Sequence, residues 1–318
     1  MVEQSAYIKD VFVTYKLAGR YSLNGLRCRS CRTLSGVEIT GAGTDSLLRQ
    51  SIRKKDGGAF IALGEVATAP VETGACELAF SVGDVELWDI DSPVLYEMKT
   101  ELLDGDGQVR DEVITTMGFR RAVFKKNGFY LNGRRIKICG QSSRPEDDTG
   151  SIRPDFMQSC DAAGLKYGLK CSAVRICRDP HSQALMEQCD QAGLLVFAAF
   201  PEGRVAGGDA LERMAEDQLM ENIKEMIVLC RNHPSVILWD AGTCESKGGT
   251  LFYERINKVV HMMDPSRQIG DIRGYKKPGR EEAVFIYHDL PGEDFARGSW
   301  YRSCRYHTAG SGHRFMRR

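Results

Sequence analysis

Residues 231–246 read RNHPSVILWDAGTCES, and the fold turns on how this stretch is read. A four-residue apolar run, Val236-Ile237-Leu238-Trp239, stands between the turn-forming Asn232-His233-Pro234-Ser235 and a loop of Gly242, Thr243, Cys244, Glu245 and Ser246. A short run of β-branched and aromatic residues bounded by turn residues predicts a strand buried on both faces. Such strands belong to parallel sheets covered by helices. A carboxylate a few residues past a strand of this kind, here Glu245, stands where barrel enzymes carry catalytic groups.

Working outward, the texture after about residue 123 is strand, loop, helix. Strands are expected at Ile136–Gly140, Ala173–Cys177, Leu194–Phe200, Val236–Asp240, Gln268–Arg273 and Ala283–Tyr287. Helices are expected at Asp155–Ala163, His181–Ala192, Asp209–Arg231 and Leu251–Met263, the last closed by Asp264-Pro265. Alternation of this kind implies parallel strands joined by right-handed crossovers. The first strand is not followed by a glycine-rich phosphate loop, which disfavours a dinucleotide-binding sheet. The preferred architecture is a (β/α)8 barrel. Six strands are too few to close one, and the 195 residues after 123 fall short of the roughly 250 of a complete barrel. On helix Asp209–Arg231, Ala215, Leu219, Ile223, Met226, Ile227 and Cys230 recur at helical spacing, as a core-facing stripe does.

Before residue 123, strand-like segments at Ile8–Leu17, Ala59–Leu63, Glu77–Val82, Leu95–Leu103 and Glu112–Met117 are separated by turn clusters at 41–43, 55–58 and 104–107. That spacing predicts an antiparallel sandwich. Residues 20–32 fit no element. The expected division is a sandwich over 1–122 and an incomplete barrel over 123–318.

Composition narrows the function. Forty-three basic residues balance 43 acidic ones, so there is no electrostatic footprint for nucleic acid or an anionic membrane. The hydrophobic fraction is 42%, and no apolar run approaches the roughly 20 residues of a membrane span. The start, MVEQSAYIKD, lacks the pattern of a secretory signal. With the 11 cysteines mostly single within apolar or helical patterns, a reducing, cytoplasmic setting is expected. Cys28-x-x-Cys31 lacks the second pair that a zinc site needs, so no metal and no cofactor are expected.

Several motifs, in order, resemble glycoside hydrolase family 2, the β-galactosidase and β-glucuronidase family. Residues 231–246 are similar to its acid/base stretch, R-[ND]-x-N-H-P-S-[VI]-[IV]-x-W followed by Asn-Glu-Ser, and in one branch near Trp-Gly-Val-Arg-Ile-Asn-Glu-Ser. Trp88 to Tyr96 resembles W-x-x-x-x-P-x-L-Y of its immunoglobulin-like middle domain. Gly118-Phe119-Arg120, Phe129 to Arg134 and Cys189 to Val196 resemble its Gly-Phe-Arg, F-x-L-N-G-[KR] and C-D-E-x-G-L-L-V.

The resemblance implies an immunoglobulin-like sandwich followed by an incomplete (β/α)8 TIM barrel. It also implies retaining hydrolysis of β-galactosides or related β-glycosides, with Glu245 as general acid/base; the competing reading of Glu245 is a solvated loop residue near a helix start. A retaining site needs a second carboxyl about 5–5.5 Å from the first. The tail SWYRSCRYHTAGSGHRFMRR, residues 299–318, offers no strand-borne glutamate for that role. Other positions depart from the family. Cys244 stands for Asn. Gln141-Ser142-Ser143-Arg144 stands where Asn-Arg-His is usual. Arg178 stands for a histidine after Arg175, and Ala198-Ala199-Phe200-Pro201 is followed by Glu202. Arg178, Cys244, Tyr287 and Asp289 are candidate sugar-contacting residues with Arg175. Arg175 either binds a hydroxyl, orients a carboxylate, or serves a structural role in the barrel mouth. The expected partner is a carbohydrate, and a homo-oligomer is compatible with the sequence. A chain without its nucleophile is expected to be inactive alone. The competing reading is a degenerate, non-catalytic fragment that at most binds carbohydrate or a partner chain.

Overall fold

The computed structural model describes residues 6–18, 26–43, 45–68, 71–125, 128–143, 162–176, 183–200, 209–240, 250–271, 284–288 and 304–308. The chain divides into two units, Met1–Arg121 with Arg231–Pro234, and Ala122–Cys230 with Ser235–Arg318.

The first unit is a sandwich of two antiparallel sheets. One has the order β1-β2-β5, built from β1 (Tyr7–Ala18), β2 (Arg27–Ala42) and β5 (Val71–Glu86). The other has the order β4-β3-β6-β7, built from β3 (Leu47–Lys54), β4 (Ile61–Ala67), β6 (Tyr96–Leu103) and β7 (Val109–Met117). Val37 and Ile39 of β2 pack with Leu48, Ile52, Met98 and Leu102 in one core. Residues 27–32, which fit no element by sequence, open β2, and β3 was likewise not expected. Both strands bury polar residues at core positions. Gln50 Nε2 donates to Ser35 Oγ at 2.8 Å and to Thr100 Oγ1 at 3.0 Å, and all three residues are fully buried. A buried polar group is tolerated when it is hydrogen-bonded. This seam hides the apolar alternation that marks a strand.

The turn of the opening motif belongs to this unit. Asn232 Nδ2 donates to Val11 O at 2.7 Å, and Val13 N–H donates to Asn232 Oδ1 at 3.1 Å. One side-chain amide thus covers two backbone groups on the free edge of β1, a place that otherwise invites foreign strands. Arg231 pairs with Asp10 and lies over the Phe12 ring, 4.3 Å from its centre. Gly118 is required beside Pro234, since a Cβ there would stand 2.9 Å from Pro234 Cγ and 3.0 Å from Trp88 Cβ.

The second unit opens with a three-stranded antiparallel meander, β8 (Ala122–Lys125), β9 (Gly128–Leu131) and β10 (Arg134–Ile136). Its second turn is Asn132-Gly133, with φ of 52° and 85°, the left-handed pair of a two-residue hairpin. Then follows a seven-stranded sheet in sequential order: β11 (Gly140–Ser143), β12 (Ala173–Ile176), β13 (Leu195–Ala199), β14 (Val236–Asp240), β15 (Gln268–Asp271), β16 (Val284–His288) and β17 (Cys304–Thr308). β11 to β16 are parallel, and β17 pairs antiparallel with β16.

Two expectations are corrected. The first parallel strand is Gly140–Ser143 and not Ile136–Gly140, because Ile136 closes the meander. Gly140 lies so close to β12 that a Cβ would sit 2.1 Å from Ala173 O. The expected six strands are joined by a seventh, Cys304–Thr308, in a tail that had been assigned none.

Helices α1 (Gln183–Ala192), α2 (Asp209–Cys230) and α3 (Thr250–Met263) cover one face of the sheet. Ile223, Met226, Ile227 and Cys230 of the expected α2 stripe pack on Val174, Val196, Ala198 and Trp239. α1 ends in a Schellman closure, with Leu194 N–H donating to Cys189 O at 2.9 Å and Gly193 at φ 70°. Lys166 Nζ also donates to the terminal carbonyls of Ala192 and Gly193. Among the described residues, no helix is long and apolar enough to cross a membrane. The expected helix Asp155–Ala163 lies almost wholly outside the described residues.

Below the site, Asp264, between α3 and β15, anchors the start of β14. It accepts from Trp239 Nε1 at 2.9 Å and from Arg267 Nη1 at 2.7 Å, while Arg267 Nε donates to Val236 O at 2.6 Å. Burial alone would push the Asp264 carboxyl up, but the Arg267 charge and the hydrogen bonds from Ser266, Arg267 and Trp239 outweigh it and hold the group below its ordinary 3.8. A lowered folded value means that this stabilisation is complete above the ordinary value and is lost as pH falls through the lowered one. The melting temperature of the native chain is therefore expected to drop more steeply than that of Asp264→Asn between about pH 5 and about pH 2. Parallel slopes would remove Asp264 from the acid response.

Candidate active site at the strand ends

The helix-facing residues of the sheet identify the opposite, inner face. Val174, Ile176, Val196, Ala198, Trp239 and Ile269 belong to the cluster under the helices. Residues one position away point to the other side. Register then aligns Arg175 with Phe197, Phe197 with Leu238, and Ala199 with Asp240 and, through Asp240, with Gly270. Inward residues at strand C-termini are where barrels gather their chemistry.

Arg175 and Asp240 meet on this face. Arg175 Nε lies 2.6 Å from Asp240 Oδ2, and the side chains are 4% and 0% exposed. The two strands are separated by β13, so they stand about 10 Å apart. The guanidinium spans that gap because the residue between them at the level of Asp240 is Ala199, which has little side chain to obstruct it. Asp240 is the last residue of β14, and its backbone carbonyl accepts from Phe200 N–H at 2.9 Å. The geometry shows Arg175 paired with a carboxylate of the sheet itself. Asp240 was not among the expected site residues. Its only sequence signal was an acidic residue closing an apolar strand.

Glu245, Cys244, Arg178 and Asp289 lie outside the described residues, as do Arg144 and Glu202. Tyr287 lies within β16, the sixth strand of the sheet. The segment that carries Glu245 leaves the fourth of the seven strands, immediately after Asp240.

Thiol chemistry finds no support in the described cysteines. Cys28, Cys31, Cys76, Cys139, Cys171, Cys189 and Cys230 are free. Burial pushes Cys31 and Cys230 up to about 12 and also raises Cys76 and Cys171, which suppresses the nucleophilic thiolate. Cys28 Sγ faces the carbonyls of Ala18 and Ser30 at 3.3 and 3.1 Å. Among the described residues, no group of three or more His, Cys, Asp or Glu is placed to hold a metal.

Comparison with known proteins matches these two units. The family model described as "Glycosyl hydrolases family 2, TIM barrel domain" covers residues 123–284, and "Glycosyl hydrolases family 2" covers residues 6–120. A β-galactosidase of Thermoanaerobacterium thermosulfurigenes is 38% identical over 208 residues, 65% of this chain and 28% of that protein. A β-galactosidase of Rhizobium meliloti is 30% identical over 245 residues, 72% of this chain and 31% of that protein. The chain thus spans about three tenths of the length of these relatives. Among solved structures, a glycosyl hydrolase family 2 member from Bacteroides cellulosilyticus superposes with a TM-score of 0.70 at 22% identity, over 89% of this chain and 40% of the other. A Bifidobacterium dentium β-glucuronidase superposes with a TM-score of 0.68 at 20% identity, over 86% and 45%. At these identities the superpositions speak for the fold, a sandwich followed by strands of a TIM barrel. The family models cover most of the chain, which therefore belongs to glycosyl hydrolase family 2.

Proposed function

We propose that this chain carries the acid/base side of a retaining β-glycosidase site of the β-galactosidase type and is catalytically incomplete by itself. Glu245 is the proton donor. Arg175 and Asp240 form the floor beneath it, and Arg178, Cys244, Tyr287 and Asp289 are the sugar-contacting candidates. The observation that carries this reading is β14, a buried central strand whose last residue joins the Arg175 pair and whose continuation reaches Glu245 five residues later. The β-galactosidases among the relatives suggest the substrate class. Among the described residues, the cysteines are free and most are buried, which supports a reducing, cytoplasmic setting.

General acid catalysis alone contributes about 10²–10⁴-fold, well short of the roughly 10⁶-fold or more of an enzyme. The purified chain is therefore expected to hydrolyse aryl β-galactosides and β-glucuronides no faster than its Glu245→Gln variant. Hydrolysis by the native chain and not by the variant would keep Glu245 as acid/base and reveal a second working carboxylate. Hydrolysis by both would remove Glu245 from the role. Calorimetry with a galacto-configured iminosugar supplies the positive readout. Charge-assisted hydrogen bonds are roughly twice as strong as neutral ones, so Glu245→Gln is expected to weaken binding about tenfold or more.

The second reading, a non-catalytic fragment, draws on β17. This strand reads Cys-Arg-Tyr-His-Thr, carries no carboxylate, and runs antiparallel beside β16. Absence of iminosugar binding by the native chain would favour it.

A further inference from the structure

The outward face of the three-stranded sheet is basic at one end, acidic towards the other, and small or apolar between. Val13, Val37 and Leu78 lie in the sandwich core, so residues one position away point outward. Register sets Lys16 beside Arg32 at one end, Leu34 beside Ala79 in the middle, then Gly36 beside Glu77 and, last, Glu38. Lys16, Arg32, Leu34, Ala79 and Glu77 are all exposed. Among the described residues, Lys16, Arg32 and Glu77 have no partner of opposite charge. Like charges side by side on neighbouring strands are destabilising, so Lys16 and Arg32 together call for an acid from outside. Leu34, 39% exposed, stands two positions from Gly36, where an added Cβ would meet only Phe12 O, at 4.0 Å. An apolar knob and a hollow thus share one strand face.

We propose that this face binds a second copy of the chain, sheet against sheet, about a two-fold axis that crosses β2 at Ser35. Such an axis relates position 34 to position 36 and position 32 to position 38, and it closes the assembly at two copies. Each Leu34 enters the hollow over the partner's Gly36. Each Arg32 meets the partner's Glu38, with Lys16 beside it on β1 and the partner's Glu77 close by on β5. Packed sheets stand about 10 Å apart, a gap that arginine and lysine side chains bridge. Glu38 already pairs with Lys9 at 2.6 Å, but those side chains are 37% and 54% exposed, and an exposed pair is worth little, so the carboxylate is open to a second cation. Basic end against acidic end fixes the orientation, because the alternative two-fold, along the strands, sets each Arg32 against the partner's Arg32. Three strands about 4.8 Å apart over about ten residues give about 500 Å² per copy, or about 1,000 Å² in all, the lower limit of a specific interface. The dimer is therefore weak, in the micromolar range, and sensitive to salt.

Sedimentation equilibrium of the full chain tests this. The native chain is expected to dimerise at low salt, and at least tenfold more weakly in about 1 M salt, where the screening length is about 3 Å. Arg32→Glu and Glu38→Arg each set like charges against each other, and each alone is expected to weaken the dimer at least tenfold. Mixed in equal amounts, these two variants restore opposite charges at both contacts, so their heterodimer is expected to form with near-native affinity. Leu34→Asp is expected to weaken the dimer at every salt concentration. All three positions lie on the surface, and circular dichroism confirms that each variant is folded. A native chain that stays monomeric up to about 100-fold above the micromolar range overturns the proposal without any variant. So does a dimer indifferent to the three substitutions, which places the interface elsewhere, or a mixture that fails to recover affinity.

Discussion

Arg175→Met is expected to destabilise the second unit by about 3–5 kcal/mol, because it leaves the Asp240 carboxylate buried without its cation. For a unit of this size, that is a fall in melting temperature on the order of 10 °C. Removing both charges, in Arg175→Met/Asp240→Leu, is expected to recover most of the loss. A buried ion pair offsets its own desolvation and adds little beyond that, so an apolar replacement of similar volume is often neutral. Stability should therefore survive removal of the whole pair. Thermal melts of the native chain, the two single variants and the double variant supply the complete cycle. If Arg175→Met costs less than about 1 kcal/mol, the value typical of an exposed pair, then water reaches the pair in solution.

Trp239→Ala is the second large effect. The indole is fully buried and stacks on Phe200, with ring centres 5.9 Å apart and planes 13° apart. Truncating a buried aromatic to alanine costs about 3–5 kcal/mol. Asp264 would also lose one of the donors that hold its carboxyl low. Trp239→Phe separates these contributions. It keeps one six-membered ring but removes the fused pyrrole part with its N–H, so a loss of about 1–3 kcal/mol is expected. It should also make the melt less sensitive to acid than in the native chain, because the Asp264 value moves back towards the ordinary one. Chemical denaturation monitored by circular dichroism measures both variants. A Trp239→Phe variant as unstable as Trp239→Ala would mean that the Asp264 bond, and not packing, dominates at this position.

These residues also show what a sequence makes legible. Val236–Asp240 was readable to the residue because it is apolar on both faces and bounded by turn formers, a pattern with few alternatives. β2 and β3 were missed because Thr33, Ser35, Gln50 and Ser51 occupy buried positions that apolar side chains usually fill. The Gln50–Ser35 hydrogen bond crosses between the two sheets, and no local pattern reveals such a partner. The first parallel strand was displaced for the opposite reason. The apolar residues near Ile136 and Ile138 attracted the assignment, whereas Gly-Gln-Ser-Ser at 140–143 carries no apolar signal and is placed by its register with β12. Gly140 marks the spot only through the close approach of Ala173 O.

The site divides in the same way. Arg175 was singled out through the resemblance of its stretch to the family's second-strand motif. Its partner was not, because Asp240 is 65 residues away in sequence and two strands away in the sheet. Pairing at that range depends on the sequential order of parallel strands and on a small residue, Ala199, between them. Glu245 is assigned only through the motif that spans β14 and lies outside the described residues; the strand before it is the part of that motif the structure describes.

The central claim is that Glu245 serves as the acid/base of a site built on the inner face at the end of β14. A crystal structure of the chain with phenyl thio-β-galactoside measures it most directly. The expected result is a Glu245 carboxylate within hydrogen-bond reach of the thioglycosidic sulfur, on the same concave surface as Arg175 and Asp289, with the Arg175–Asp240 pair intact beneath the sugar. A Glu245 side chain directed away from that surface, with the ligand bound elsewhere, would contradict the claim.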